Sequence, residues 1–234
     1  MNLAEAEEKL STLLGLRAAP VAIAFRSTAP AGVPRVERAG PAGCAYWPLA
    51  AGGRVFYTEA ADHYNCPVGA HTHGVALPGE RARELENVVG TMVGLQYISM
   101  AEVQALPRRG EPFGVAVYAP LGKAPAPPDA VIVRGTARQI MVVAEAARAA
   151  GIGHAGPALG RPACSMIPEA MQAGRGNTSL GCVGNRVYTA LGDDELYFTV
   201  PGDRLADLVA KLETIAHANR ELQTYHEGRR RSVG

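Results

Sequence analysis

The spacing of apolar residues along the chain predicts four amphipathic helices. In each of them apolar side chains recur every three or four residues and therefore share one face. Gly15 and Gly151 follow two of these stretches, as is common at helix C-termini. The four helices are expected over residues 3–16, 79–97 and 137–151, and from Asp203 to about Glu227.

Shorter runs rich in apolar and β-branched residues lie between these helices and predict strands. They cover residues 20–25, 54–60, 113–121, 130–137 and 196–201. The first run, "PVAIAF", has no polar side, which is typical of a sheet covered on both faces. Because helices and strands are interspersed, we expect an α/β fold of mixed α+β type, in which helices cover a mixed sheet. A length of 234 residues favours a single domain, residues 1–234.

Composition and charge narrow the range of partners. With 47% hydrophobic residues, the chain should form a globular core. Its formal net charge of +1 gives no sign of the basic surface that would attract nucleic acid or a membrane. The acidic start "MNLAEAEEKL" is unlike a secretion signal, and no stretch is apolar enough to span a bilayer. We therefore expect a cytoplasmic protein whose cysteines are reduced.

One short phrase occurs twice. "CAYWPLAAGG" begins at Cys44 and "CSMIPEAMQAGRG" at Cys164, and a second cysteine follows each after 22 and 18 residues, at Cys66 and Cys182. Weak self-similarity of this kind is what an old internal duplication would leave. The hypothesis is two pseudo-symmetric lobes, about residues 17–100 and 112–201, flanked by the terminal helices. If the lobes face each other, the four sulfurs meet between them.

Six segments also resemble a known family, the bacterial and archaeal proteins called domain of unknown function 169. The resemblance covers most of the chain, and its motifs occur in the family's order: "LGLRAAPVAIAF", "GCAYWPLAAGGRVFYT", "DHYNCPVGAHTHG", "RPACSMIP", "SLGCVGNRVYT" and "DDELYFTVP". The family name brings no established activity. The resemblance implies that the four cysteines belong to a shared pattern.

The wide separation of the cysteines bears on what they would bind. Structural zinc is usually held by pairs of cysteines two to four residues apart, and this chain has none. A [4Fe-4S] cluster offers four irons and accepts one thiolate from each of four loops. We therefore expect Cys44, Cys66, Cys164 and Cys182 to ligate a [4Fe-4S] cluster with a redox, electron-transfer or sensing role, with zinc as the alternative metal. Four buried core thiols, or two disulfides, remain the alternatives without a metal.

Four further residues are candidates for binding a substrate beside the cysteines. Arg161 and Arg186 are placed in sequence to offset a negative cluster or to bind a small anionic ligand. His63 is a candidate acid or base, and Ser179 a hydrogen-bond donor near Cys182. In the same histidine-rich segment, a strand would place His71 and His73 on one face, a spacing that serves metal binding, whereas a solvated loop with incidental histidines is the favoured alternative.

Whether the protein is an enzyme is left open by the sequence. The signatures of common hydrolases, NTPases and metalloproteases are absent. The alternative functions are a zinc-stabilised or metal-free module that binds a small ligand or a partner, and a thiol-dependent enzyme with one reactive cysteine. A redox partner protein and a homo-oligomer are both compatible with the sequence.

Overall fold

The computed structural model describes residues 2–154 and 162–233 and has the expected mixed α+β class. Within this part of the chain the helices and strands are interspersed. The helices are α1 (Leu3–Leu14), α2 (Tyr46–Ala51), α3 (Pro67–Thr72), α4 (Gly79–Gly94), α5 (Met100–Ala105), α6 (Ala137–Ala149), α7 (Met166–Ala173), α8 (Val183–Thr189) and α9 (Leu205–Val233). The strands are β1 (Val21–Arg26), β2 (Phe56–Glu59), β3 (Val115–Pro120), β4 (Ala130–Thr136), β5 (Asn177–Ser179) and β6 (Glu195–Pro201).

The six strands form one sheet in the order β2-β3-β1-β4-β6-β5. All five pairs of neighbouring strands are antiparallel, so the expectation of a mixed sheet was wrong. The strand directions could not be predicted because helices cover both faces of this sheet. A strand buried on both faces has the same apolar composition in either direction, so its sequence does not reveal how it pairs.

Each face of the sheet packs against a different set of helices. On one face, α1, α6 and α9 bury their apolar stripes against inward-facing residues such as Val131, Val133 and Phe198. The other face presents the alternating positions, among them Ile23, Ile132 and Tyr197, to the segments that carry the cysteines. The cysteine segments therefore lie on a rigid support formed by the sheet.

The two halves of the sheet contain the same order of elements. Strands β1 and β4 pair at its centre, and the short strands β2 and β5 form its two edges. In each half, a cysteine-containing turn and a short helix (α2 or α7) precede the edge strand, and another short helix (α3 or α8) follows it. The internal duplication, and the division into two lobes, stay predictions.

Helix α9 and strand β5 show two ways in which the structure differs from the sequence-based expectation. Helix α9 continues beyond Glu227 to Val233, and its last turns are exposed. Strand β5 was not predicted, because the polar triplet Asn177–Ser179 has no apolar pattern and becomes a strand only by pairing with β6. Among the described helices, none combines the length and the apolar composition that crossing a bilayer requires.

Candidate functional site

Four cysteines, distant in sequence, line a single cavity of about 420 Å³. The cavity lies on the sheet face that packs against the cysteine segments. Its lining contains no Lys, Arg, Asp or Glu among the described residues, and its walls are almost wholly apolar. Cys44, Cys66, Cys164 and Cys182 thus share one cavity, and their predicted role as metal ligands stays a prediction.

Cys44 and Cys164 occupy equivalent local structures. Cys44 lies in the 3₁₀ turn Gly43–Ala45, which leads directly into α2, and Cys164 lies in the 3₁₀ turn Ala163–Ser165, which leads directly into α7. Both side chains are buried, and both pack in the apolar cluster beneath the cavity. The repeated phrase in the sequence therefore corresponds to a repeated turn and helix.

Cys66 and Cys182 are also equivalent to each other, because each caps the N-terminus of a short helix. The Sγ of Cys66 accepts a hydrogen bond from the backbone N–H of Gly69 at 3.4 Å, at the start of α3. The Sγ of Cys182 accepts one from the N–H of Asn185, also at 3.4 Å, at the start of α8. Backbone N–H groups aimed at sulfur stabilise a thiolate and tune the potential of a metal centre bound to it.

Gly69 leaves open the space between two of the sulfurs. A Cβ atom added there would lie 3.3 Å from the Sγ of Cys66 and 3.9 Å from the Sγ of Cys164. Gly69 lies in helix α3 and does not have a positive φ angle, so the backbone conformation does not require glycine here. The lack of a side chain instead leaves room beside the two sulfur atoms. On the other side, the hydroxyl of Thr72 donates to the Sγ of Cys164 at 3.2 Å.

Burial keeps the thiols of Cys44, Cys66 and Cys164 protonated when no metal is bound. It raises the pKa of Cys44 to about 12, although the nearby Asn185 amide acts in the opposite direction. Burial also raises the pKa values of Cys66 and Cys164, and ionisation of any neighbouring thiol would raise them further. Four ionised thiolates at such a site need a positive charge between them.

None of the four cysteines forms a disulfide. Across residues 2–154 and 162–233, no three His, Cys, Asp or Glu side chains are gathered closely enough to hold a single metal ion. A structural zinc site needs four ligands around one atom at about 2.0–2.3 Å. A [4Fe-4S] cluster separates its ligands across several irons, and its binding by these cysteines stays a prediction.

Of the four residues predicted to bind a substrate, the three described ones lie outside the cavity lining, and the proposed roles of all four stay predictions. Arg161 lies outside the described residues. Arg186 donates hydrogen bonds to the carbonyl oxygens of Gly192 and Glu195, and the Ser179 hydroxyl accepts one from the N–H of Gly181. None of the described three, His63, Ser179 and Arg186, is part of the cavity lining.

His63 is buried beneath the turn that carries Cys44. Its Nε2 pairs with the hydroxyl of Thr58 at 2.8 Å, whereas its Nδ1 has no hydrogen-bond partner among the described residues. That nitrogen would lie 3.1 Å from a Cβ at Gly43. His63 therefore supports the turn from below, and its ring stands edge-on to the ring of His73.

The expectation that His71 and His73 share one face of a strand was wrong. The segment forms helix α3, because Pro67 at its first position fixes a helical φ angle and Cys66 caps it. As a result the two side chains diverge. His71 lines the cavity, while His73 is fully buried against Phe25.

Two features of the site had not been predicted from the sequence. The first is Asn185, which is 1% exposed and lines the cavity. The second is that α4 and α5 form a wall of the cavity with apolar side chains although neither helix contains a buried residue. The helical pattern of α4 was evident in the sequence, but its position over a cavity depends on tertiary packing.

The buried histidines should make stability fall in mild acid. Burial lowers the pKa of His63 to about 4, and burial together with the neighbouring His63 and Arg109 lowers the pKa of His73 to about 3. Unfolded histidine titrates near about 6.5, so this stability is present above that pH and is lost as the pH falls toward 4. We expect His73→Leu to reduce the slope of unfolding free energy against pH by up to about 1.4 kcal/mol per pH unit between these values.

Denaturant unfolding at a series of pH values measures this slope. His217→Leu, at an exposed position of α9, is the matched control and should leave it unchanged. Equal slopes for wild type and His73→Leu would show that His73 is not held neutral by the fold.

Fold and site together define a class: an α+β protein with a central antiparallel sheet and four free cysteines around one apolar cavity. A family model, domain of unknown function 169, described as "Uncharacterised ArCR", matches residues 9–211. The chain belongs to this family, as its motifs predicted. No curated protein and no solved structure matches it.

Proposed function

We propose that the protein binds a [4Fe-4S] cluster through Cys44, Cys66, Cys164 and Cys182 and uses it for electron transfer or redox sensing. The observation that carries the proposal is that four unpaired cysteines, from four separate segments, line one cavity. A cluster with four cysteine ligands supplies reversible one-electron chemistry. A fully ligated cluster leaves no open iron, so this role is favoured over Lewis-acid catalysis.

The surroundings of the cysteines support this function in three ways. The backbone N–H groups of Gly69 and Asn185 reach two of the sulfurs, and the hydroxyl of Thr72 reaches a third. The absence of a side chain at Gly69 leaves room between Cys66 and Cys164. The lining is also almost wholly apolar, and the polarity and solvent exposure around a cluster are among the factors that set its potential.

The proposal takes the protein to be cytoplasmic, where reducing conditions keep cysteines available as ligands. A redox partner protein would then exchange electrons with it, and a homo-oligomer is compatible with this role.

The test is anaerobic purification of the full chain, followed by reconstitution with ferrous iron and sulfide. We expect a brown protein with about four irons and four sulfides per chain, and a visible absorption band that bleaches on reduction with dithionite. A colourless protein that takes up one zinc per chain would contradict the cluster and support a zinc site. A protein that retains neither metal under these conditions would contradict any metal-binding function.

A further inference from the structure

The opening of the cysteine cavity is surrounded by exposed apolar side chains. Val88, Val183 and Tyr188 are both exposed and part of the cavity lining, so they mark the place where the cavity meets solvent. Other exposed apolar residues continue this surface on both sides. The whole surface, here called the apolar rim, consists of Val88, Leu95 and Met100 on the side of α4 and α5, and of Leu180, Val183, Val187 and Tyr188 on the side of α8.

The α8 side of the rim is apolar and uncovered. Val183 and Val187 lie one helical turn apart and are 73% and 72% exposed. The only charged residue of α8 is Arg186, whose guanidinium donates to the carbonyl oxygens of Gly192 and Glu195 in the chain that follows the helix. A helix of two turns depends on packing of its apolar face for stability, so this face is expected to have a partner.

The opposite side of the rim, on α4 and α5, has the same character. Within residues 88–106 the only charged residue is Glu102, and its carboxylate caps α5 by accepting from the backbone N–H of Ser99 at 2.7 Å. Leu95 is 74% exposed and Met100 is 50% exposed. Neither α4 nor α5 contains a buried residue, so the protein core does not cover this side either.

The order of elements explains why α8 is exposed. Helix α3, which Cys66 caps, is followed by the long helix α4, and the two helices pack together. Helix α8, which Cys182 caps, is followed directly by strand β6. Among the described residues, the second half therefore has no helix equivalent to α4, and α8 lacks the cover that α3 receives.

The size and composition of the rim indicate a permanent partner of the same kind. Its residues expose on the order of 700 Å², close to the about 800 Å² that each partner contributes to a standard interface. Monomers rarely expose a continuous apolar patch of more than a few hundred Å². Redox encounters bury small areas, whereas homodimer interfaces are larger and more apolar. The rim therefore fits a second copy of this chain better than a transient redox partner.

We propose that the protein is a two-fold symmetric homodimer in which α4 and α5 of one copy pack on α8 of its partner and so close both cavity openings. A two-fold axis makes this contact occur twice, so both sides of each rim are covered. The inference extends the proposed function, because a partner across the opening would exclude solvent from the cluster. The rim itself contains no cysteine and does not depend on iron.

Sedimentation equilibrium of the full chain, before and after reconstitution with iron and sulfide, tests the dimer. We expect wild type to be mainly dimeric at about 10 µM. Val187→Glu and Leu95→Glu change one side of the rim each. Each variant should raise the dimer dissociation constant at least about tenfold, because it places two carboxylates in an apolar interface.

Met141→Glu is the matched control for these two variants. Met141 is an exposed apolar residue of α6, which packs on the opposite face of the sheet, so this change should leave the dissociation constant unaltered. All three positions are exposed, and circular dichroism should show an unchanged fold in each variant.

Three results would overturn the proposal. A wild type that is monomeric in both preparations would exclude the dimer and leave the rim to a different protein. A dimer that survives both rim substitutions would have its interface elsewhere. If only Val187→Glu weakens the dimer, α8 packs on its own copy across the axis, and the packing of α4 and α5 on α8 is wrong.

Iron content of the same samples separates this inference from the cluster. A dimer that takes up no iron would refute the cluster and leave the interface standing, whereas a brown monomer would refute the interface alone. In a brown dimer, we expect a chelator to remove iron faster from Val187→Glu than from Met141→Glu, because the first variant uncovers the openings. Equal rates would show that the dimer does not close them.

Discussion

Removing any one of the four cysteine sulfurs is expected to lower iron affinity by at least about tenfold, because even substitutions behind the ligands cost about 10–100-fold at metal sites. Serine is the suitable replacement at Cys66 and Cys182. Both residues are helix N-caps, and a serine hydroxyl fills that role well, so α3 and α8 should persist. Alanine is the suitable replacement at Cys44 and Cys164, which are buried in 3₁₀ turns and cap no helix with their side chains.

The matched control for Cys164→Ala is Ser165→Ala. Ser165 is buried in the same 3₁₀ turn, and among the described residues its hydroxyl donates to the carbonyl oxygen of Pro162. We expect this variant to lose some stability and to keep its iron. Iron and sulfide content after reconstitution, together with circular dichroism, separates loss of a ligand from loss of fold.

The pattern across the four variants distinguishes the candidate functions. Loss of iron in all four identifies a site with four thiolate ligands. If a single variant loses activity while the other three affect only stability, one reactive cysteine is the functional group instead. If iron binding survives all four substitutions, the cysteines are not its ligands.

The sequence contains local signals for the turns and helix starts around the cysteines, although the short helices α2, α3, α7 and α8 were not predicted from it. A cysteine followed by proline after four residues marks the two turns, and a cysteine followed by glycine within three residues marks the two helix starts. These patterns encode turns and caps, which depend on neighbouring residues. Their meeting at one cavity depends on the sheet, and only the repetition of the phrase pointed to it.

The parts of the fold that the sequence did not reveal depend on distant contacts. The direction of the strands is one of them, because β1 and β4 have the same apolar composition in a parallel or an antiparallel sheet. The conformation of residues 67–72 is another, since two histidines at alternate positions fit a strand as well as a turn of helix, and Pro67 favours the helix.

Asn185 is the residue of greatest interest that sequence reasoning missed. It occupies the third position of α8, where its backbone N–H is expected to meet the capping side chain. An asparagine there is unremarkable on a surface helix. Its importance comes from burial beside the cavity, which follows from the way α8 packs against the turn of Cys44.

The absent side chain at Gly69 leads to a prediction in which stability and metal binding change in opposite directions. Gly69→Ala should raise the unfolding free energy of the iron-free protein by up to about 1 kcal/mol, because alanine is the better helix former. The new Cβ would lie 3.3 Å from the Sγ of Cys66, a contact that a free thiol relieves by moving slightly. A sulfur fixed by iron cannot move in this way, so we expect iron affinity to fall by at least about tenfold, as for other residues that position metal ligands.

Gly90→Ala is the matched control for this change. Gly90 is exposed within α4, and a Cβ added there would have nothing within 4 Å. This variant should gain similar stability and keep the wild-type affinity for iron. Denaturant unfolding of iron-free protein gives the stability, and competition with a chelator gives the affinity. If both glycine variants retain iron equally well, the space at Gly69 is not part of the metal site, and the arrangement of Cys66 and Cys164 around it has another purpose.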